Sequence, residues 1–322
     1  MKINKLIEVP TGHIAIVQGD LGKLELLSIG DYGKEKNLKA DFLGLTNEIN
    51  GVPHGELLPL EEKWVITIST QYGCSMGCTF CDVPKVGPGV NATDADIINQ
   101  VHVGLSLHPE ITYTKRLNIH YARMGEPTWN NNVLISTVYL DYELSDRFHI
   151  HPVVSTMMPK HNKNLHNFLY TWMDIKNNVL HGEAGLQISL NSTDEDQRAE
   201  MFNGSALTLT GIAEVMRDVE KPKGRKITLN VALHDSFVVD PNILLSHFDP
   251  EDYLIKITPM HKTTACHENT LSTSQGYECF YPYKKVEDEC KAAGYDVIVF
   301  VPSHEEDESK ITCGNAILAE QL

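Results

Sequence analysis

The stretch WVITISTQYGCSMGCTFCDVP, residues 64–84, decides how this chain is read. Its opening, WVITIS (64–69), is apolar and β-branched and reads as a buried strand. The strand runs straight into a loop in which Cys74, Cys78 and Cys81 are spaced C-x3-C-x2-C. Thiolates are natural ligands of iron–sulfur clusters. Three of them in one tight loop can hold three irons of a [4Fe–4S] cluster and leave the fourth open to a chelating ligand. Gly73 and Gly77 let the backbone curl around such a cluster, and Phe80 is placed to cover it from water. The competing reading is a zinc site or three unrelated buried thiols. A structural zinc site takes four protein ligands, and no fourth Cys or His stands close by to close this one.

Downstream, strand and helix patterns alternate. RLNIHYA (116–122), HPVVST (151–156), GLQISL (185–190), ITLNVAL (227–233) and YLIKIT (253–258) read as strands, and DVIVFV (296–301) as a last one. Helical stretches fall near 93–106, 130–142, 161–174, 205–219, 240–247 and 283–293. Six βα repeats predict an α/β fold with a parallel sheet. A complete eightfold barrel takes about 250 residues, so an incomplete (β/α)6 barrel is expected over residues 61–303, followed by a C-terminal tail, 304–322. Upstream, GHIAIVQGD and GKLELLSIGD read as a hairpin turning at Gly19-Asp20, within a small β-rich accessory piece spanning 1–60; Gly51, Pro53 and Gly55 mark a linker. In barrels of this kind ligands sit at the C-terminal ends of the strands, which is where the polar features fall.

The cysteine spacing resembles that of the radical S-adenosylmethionine superfamily. The resemblance implies that the open iron is chelated by the amino and carboxylate groups of S-adenosyl-L-methionine, and that reduction of the cluster yields a 5′-deoxyadenosyl radical. It also implies a one-electron donor such as flavodoxin or ferredoxin. After the second strand comes Gly125-Glu126-Pro127, a position that in the superfamily contacts the cofactor's amino group; Gly and Pro also favour a plain turn. Ser155 ends the third strand, and Ser189 and Asn191 follow the fourth. These residues suit ribose or carboxylate oxygens, but Ser and Asn are also common helix caps.

Taken together, Gln71-x-Gly73-Cys74, MGEP-x-x-N (124–130), VVST (153–156), SLN with DEDQR (189–198) and CGNA (313–316) are similar, in the same order, to the Cfr/RlmN family of ribosomal RNA adenine methylases. The match spans roughly 64–316 and is patchy outside the motifs. It implies that Cys313 is a catalytic methyl carrier, a task that suits a thiolate nucleophile; a buried structural cysteine is the bland alternative. Three departures stand out. Thr67 occupies the place of the family's resolving cysteine, with Cys266, Cys279 and Cys290 as spare thiols. His261 replaces the asparagine that contacts the cofactor after the sixth strand. About 60 residues of non-basic, β-rich sequence precede the expected barrel, where the family carries a larger basic N-terminal domain.

Net charge is −16, from 43 acidic and 27 basic residues, which disfavours extended RNA binding. KPKGRK (221–226) is the one concentrated basic segment and reads as a solvated loop; Arg123 and Lys85 lie nearer the chemistry and are candidates to orient an anion. HENTLSTSQGYECFYPY (267–283) reads as an aromatic lid or as packing under a long loop. No apolar run of about 18 residues predicts a membrane span, and the N-terminus lacks a signal-peptide pattern. A cytoplasmic enzyme is expected. The leading expectation is a radical methylase acting on an RNA base or a smaller nucleobase-like molecule. The alternatives are a radical enzyme that abstracts hydrogen from a small molecule or peptide without methylating it, and a non-catalytic iron–sulfur module.

Overall fold

A computed structural model describes residues 1–31, 38, 48–49, 52–53, 57–313 and 315–319. Gly51 and Gly55 of the expected linker, and Gly314 beside Cys313, lie outside the described residues. The strands are β1 (Lys2–Val9), β2 (Gly12–Gly19), β3 (Gly22–Gly30), β4 (Glu48–Ile49), β5 (Val52–Pro53), β6 (Trp64–Ile68), β7 (Gln71–Gly73), β8 (Pro88–Asn91), β9 (Thr114–Tyr121), β10 (Phe148–Thr156), β11 (Gly185–Ser189), β12 (Ile227–Leu233), β13 (Tyr253–Pro259) and β14 (Asp296–Val299). The α-helices are α1 (Asp94–Ser106), α2 (Asn132–Leu144), α3 (Leu165–Asp174), α4 (Glu195–Met201), α5 (Leu209–Arg217), α6 (Pro241–His247), α7 (Thr264–Glu268), α8 (Tyr281–Ala292), α9 (His304–Glu308) and α10 (Ala316–Ala319).

One ten-stranded sheet dominates, in the order β1-β2-β3-β6-β9-β10-β11-β12-β13-β14. From β6 onward every neighbour is parallel, each reached through helical crossovers, as the alternating pattern predicts. The N-terminal strands are antiparallel and join the same sheet, β3 pairing with β6 at Leu27↔Thr67. Among the described residues the ladder ends at β1 and β14, which do not pair with each other.

Burial alternates along the parallel strands. Trp64, Ile66, Ile68, Leu117, Ile119, Tyr121, Leu186, Ile188, Leu229, Val231, Ile255 and Ile257 are buried in the core. The alternate positions Thr67, His120, Ser155, Gln187, Ser189, Asn230 and Lys256 are half-buried and mostly polar. A side-chain period of two thus gives the sheet one apolar, helix-covered face and one polar face. Tyr121, for example, meets Thr137 of α2 at 2.7 Å and sits edge-on to Trp172 of α3. Burial of each large aliphatic side chain contributes about 1.5–3 kcal/mol. Among the described residues no helix is long and apolar enough to cross a membrane.

Candidate functional site

The cysteine loop is fixed by what precedes it. Gly73, at φ +80°, ends β7, and a Cβ there would lie 2.1 Å from the Gly87 carbonyl oxygen. Only glycine fits this close approach, which lets the Cys74 N–H donate to Gly87 O at 3.1 Å. The Cys81 N–H donates to Cys78 O at 3.1 Å. Beyond it, the Asp82 carboxylate accepts from Ala265 N (2.8 Å) and Thr264 N (3.2 Å), docking α7 against the loop. Met76, Met157 and Phe202 form an apolar cover with Phe80 and Trp129, against which Cys74 and Cys78 pack.

All three thiols are free and half-buried. Burial, the largest cause in each case, pushes the Cys74 thiol up to about 11 and those of Cys78 and Cys81 well above the ordinary thiol value. Buried thiolates therefore need a compensating cation, as a metal-ligand loop provides. Among the described residues no three His, Cys, Asp or Glu side chains converge on a single ion. A tetrahedral zinc site would draw its ligands together, whereas in a cluster each thiolate takes its own iron. Either metal group would supply the positive charge that these buried thiols call for.

The turn after β9 is locked onto this loop. The Thr70 and Gln71 N–H groups donate to Met124 O at 2.8 and 3.2 Å, and Gln71 Oε1 accepts from Glu126 N at 2.9 Å. Gly125 has φ +96°, and a Cβ there would lie 2.5 Å from Gln71 Cβ. Glu126 is buried. Its Oε1 accepts from Thr128 N (3.1 Å) and Thr128 Oγ1 (2.8 Å), and its Oε2 accepts from Met157 N (3.0 Å). The carboxylate thus ties the turn to the end of β10. Burial raises its pKa despite these bonds, and its charge is felt by Cys74 and Cys78.

Ser155 and Ser189 lie on the polar face at the C-terminal ends of β10 and β11; Ser155 Oγ accepts from Gln187 Nε2 at 3.4 Å. Asn191 is buried at φ +63°, its Oδ1 accepting from Ala232 N (2.9 Å) and its Nδ2 facing Met201 Sδ (2.8 Å). It does not cap a helix: Asp194 caps α4. His261, just past β13, has Nδ1 at 3.2 Å from both Asp307 Oδ1 and Tyr277 Oη. Burial opposes the charge of Asp307, yet the hydrogen bond and charge of His261 lead the effects that hold its carboxyl down at about 2.

Cys313 follows α9 and comes back to the cysteine loop. Its charge is felt by Cys81, and the groups acting on it are Asp307, Arg123, Cys266 and Asp82. Burial first, then Asp307, pushes its thiol up to about 12; Arg123 pulls the other way. Thr67 stands on the polar face opposite His120 in the β6–β9 register. Of the spare thiols, Cys266 is buried with Sγ 3.5 Å from Phe80 O, Cys290 is in the core, and Cys279 faces Gln275.

The two basic residues expected to orient an anion already have acidic partners, Lys85 with Glu268 at 2.7 Å and Arg123 with buried Glu25. In KPKGRK, Lys221 pairs with Asp252, Lys223 with Glu220 and Lys226 with Asp296. Tyr277 and Tyr283 of the aromatic stretch are buried packing, while Tyr281 is exposed. The sequence reading assigned no part to Thr128, Asp82, Asp307 or Glu25. Asp82, directly after Cys81, carried the clearest signal.

No family model matches the chain. It is 42% identical over 79 residues to the dual-specificity RNA methyltransferase RlmN of Halorhodospira halophila, covering 24% of this chain and 21% of that one. It is 25% identical over 201 residues to the RlmN of Campylobacter lari, covering 62% and 53%, and 29% identical over 195 residues to RlmN 2 of Myxococcus xanthus, covering 56% and 46%. The chain thus spans about half or less of the length of these curated relatives. Its fold matches the crystal structure of a radical SAM methyltransferase from Sphaerobacter thermophilus with a TM-score of 0.65, at 17% identity, over 97% of this chain and 80% of that one. The chain is thus similar over part of its sequence, the cysteine loop and the Gly125 turn among its motifs, to RlmN proteins, and similar in fold to a radical SAM methyltransferase.

Proposed function

We propose that the chain is a radical S-adenosylmethionine enzyme that methylates a carbon of an RNA base or a nucleobase-like molecule, with Cys313 as the methyl carrier. The observation that carries this reading is that Thr312, next to Cys313, donates at 2.7 Å to Asp307 Oδ1, the carboxylate oxygen that also meets His261 Nδ1 at 3.2 Å just past the end of β13. The parallel sheet is then a partial barrel whose polar face lines the reaction space, and Cys74, Cys78 and Cys81 would hold a [4Fe–4S] cluster. When bound, the cluster and S-adenosylmethionine supply the electron, the methyl group and the radical. The chain's own residues do the rest. Gln71, Gly125 and Glu126 set the turn beside the cluster loop; Ser155 and Ser189 offer hydroxyls at the strand ends; Asn191 and His261 bracket them. Met76, Phe80, Met157 and Phe202 exclude water. Cys313 must lose its proton to act as a nucleophile, and Arg123 is the cation that favours the thiolate.

The acidic balance and the paired lysines of KPKGRK favour a small nucleobase-bearing substrate over extended RNA. The relatives' names support an RNA base. A cytoplasmic setting, with a flavodoxin or ferredoxin as reductant, completes the proposal. Thr67 favours a second reading, in which the radical abstracts hydrogen without methyl transfer, because a hydroxyl cannot resolve a thioether adduct through a disulfide. Intact-mass analysis after incubation with S-adenosylmethionine separates the two. A methyl on Cys313 supports the first; release of 5′-deoxyadenosine from protein whose Cys313 stays unmodified refutes it.

A further inference from the structure

Glu25 lies on β3, outside every motif, and is fully buried. A buried carboxylate needs partners to offset its desolvation, and Glu25 has them on two sides. Oε1 accepts from Arg123 Nε. Oε2 accepts from the backbone N–H of Ala316 at 2.7 Å and of Ile317 at 3.2 Å. Its own backbone is tied to the end of β6: Ser69 Oγ donates to Glu25 O at 2.6 Å. Arg123 is fixed as well, its N–H donating to Ile68 O at 3.1 Å immediately before the Gly125 turn.

Ala316 and Ile317 open α10, three and four residues after Cys313. Four residues are too few to form a helix unaided, so the order of this tail comes from its contacts. Those are the Glu25 carboxylate and the burial of Ala316 and Ile317, α10 lying against β2 and β3. On its other side Cys313 is held through Thr312, whose hydroxyl donates to Asp307 Oδ1 at 2.7 Å, so the Glu25 anchor fixes the second end of a span of three residues, about 10 Å of extended chain.

We propose that Glu25 is a positioning residue for Cys313: its carboxylate pins the backbone that follows this cysteine to the arginine at the Gly125 turn, and the N-terminal strands are a docking platform for the C-terminal tail. The proposal rests on Cys313 being the methyl carrier, but its test does not. In the cluster-free full chain, Glu25→Ala should speed amide hydrogen exchange at Ala316 and Ile317, and iodoacetamide alkylation of Cys313 resolved by peptide mass, by about tenfold or more. Glu25→Gln, which can still accept, should fall between this variant and the parent. The double variant Glu25→Leu/Arg123→Met leaves no unpaired buried charge and no acceptor for the tail; it guards against loss of fold and should loosen the tail as well. In reconstituted enzyme, Glu25→Gln should lower Cys313 methylation while 5′-deoxyadenosine release persists, and Glu25→Asp should restore methylation in part. Parent-like exchange and alkylation in a folded Glu25→Ala or double variant overturn the proposal. A parent protein that never carries a methyl on Cys313 sinks the carrier reading instead, and exchange and alkylation then still decide the clamp.

Discussion

Glu126→Gln is the sharpest probe of the site, because the carboxylate's two oxygens have separate duties. Oε1 takes both Thr128 donors, and Oε2 takes Met157 N at 3.0 Å. An amide of the same shape keeps one acceptor. If it stays on Thr128, the new NH2 faces the Met157 N–H, and that buried donor is left unpaired at a cost of about 1–3 kcal/mol. Opposing this, the variant no longer buries a charge, whose cost shows in the raised pKa of Glu126. The expected net loss is about 1–2 kcal/mol, or about 1.5–3 °C in Tm at this chain length. The sign with pH follows. A folded-state pKa raised by burial means that folding takes up a proton, so this group's contribution to the parent's stability is full below the ordinary carboxylate value and is lost as pH rises through the raised one. The glutamine variant lacks that term, so its deficit is widest at low pH and narrows as pH climbs. Thermal melts of parent and variant across the acid-to-neutral range measure both effects. A deficit that widens with rising pH, or a variant as stable as the parent at low pH, refutes the assignment of the carboxylate as the tie between the turn and β10.

Gly125→Ala places a Cβ 2.5 Å from Gln71 Cβ at φ +96°; backbone strain and overpacking together cost about 2–5 kcal/mol. Since Gln71 leads into Cys74, iron uptake on anaerobic reconstitution should fall with stability; full iron content in a stable variant counts against the coupling. Cys74→Ala should lose the cluster, read as iron content and visible absorption, and retention of the parent's iron would show that the loop is not the ligand set. Asp307, whose carboxyl His261 helps hold at about 2 against an ordinary 3.8, contributes stability that is present above pH 3.8 and lost as pH falls toward 2. Its loss amounts to about 2 kcal/mol. Asp307→Asn should flatten acid unfolding in that window, and an unchanged acid limb would show that the His261–Asp307 pair is not formed.

The parallel strands were legible because each is a short β-branched run with one apolar face, bounded by helical patterns; the hairpin turning at Gly19-Asp20 was legible from its glycines. β1 was not read, because Lys2, Asn4, Lys5 and Glu8 leave a mostly exposed strand without clean alternation. The cysteines stood out by their spacing, since that motif is local, whereas Gly125 and Glu126 read as a plain turn until the resemblance gave them a part. Placing Cys313 beside Cys81 depended on resemblance, and the structure brings the two within electrostatic reach. Asp307 and Glu25 escaped notice because their meaning lies in contacts made across long stretches of chain: an acid in an acidic helix, or on an early strand, looks like solvated surface until its partners are known.

The N-terminal strands also protect an edge. β6 pairs with β9 on one side only, and without β3 its other side would offer unpaired backbone beside the cysteine loop. Covering that edge requires backbone pairing and an apolar face, which Leu24 and Leu26 supply. It does not require a fully buried glutamate, which is costly in a strand unless its partners are in place. Those partners are one arginine from the Gly125 turn and two amides from the segment after Cys313. Edge cover therefore explains the strand, and only tail docking explains residue 25. An isosteric leucine at this position should keep the sheet intact once Arg123 is also neutralised, and should free the tail.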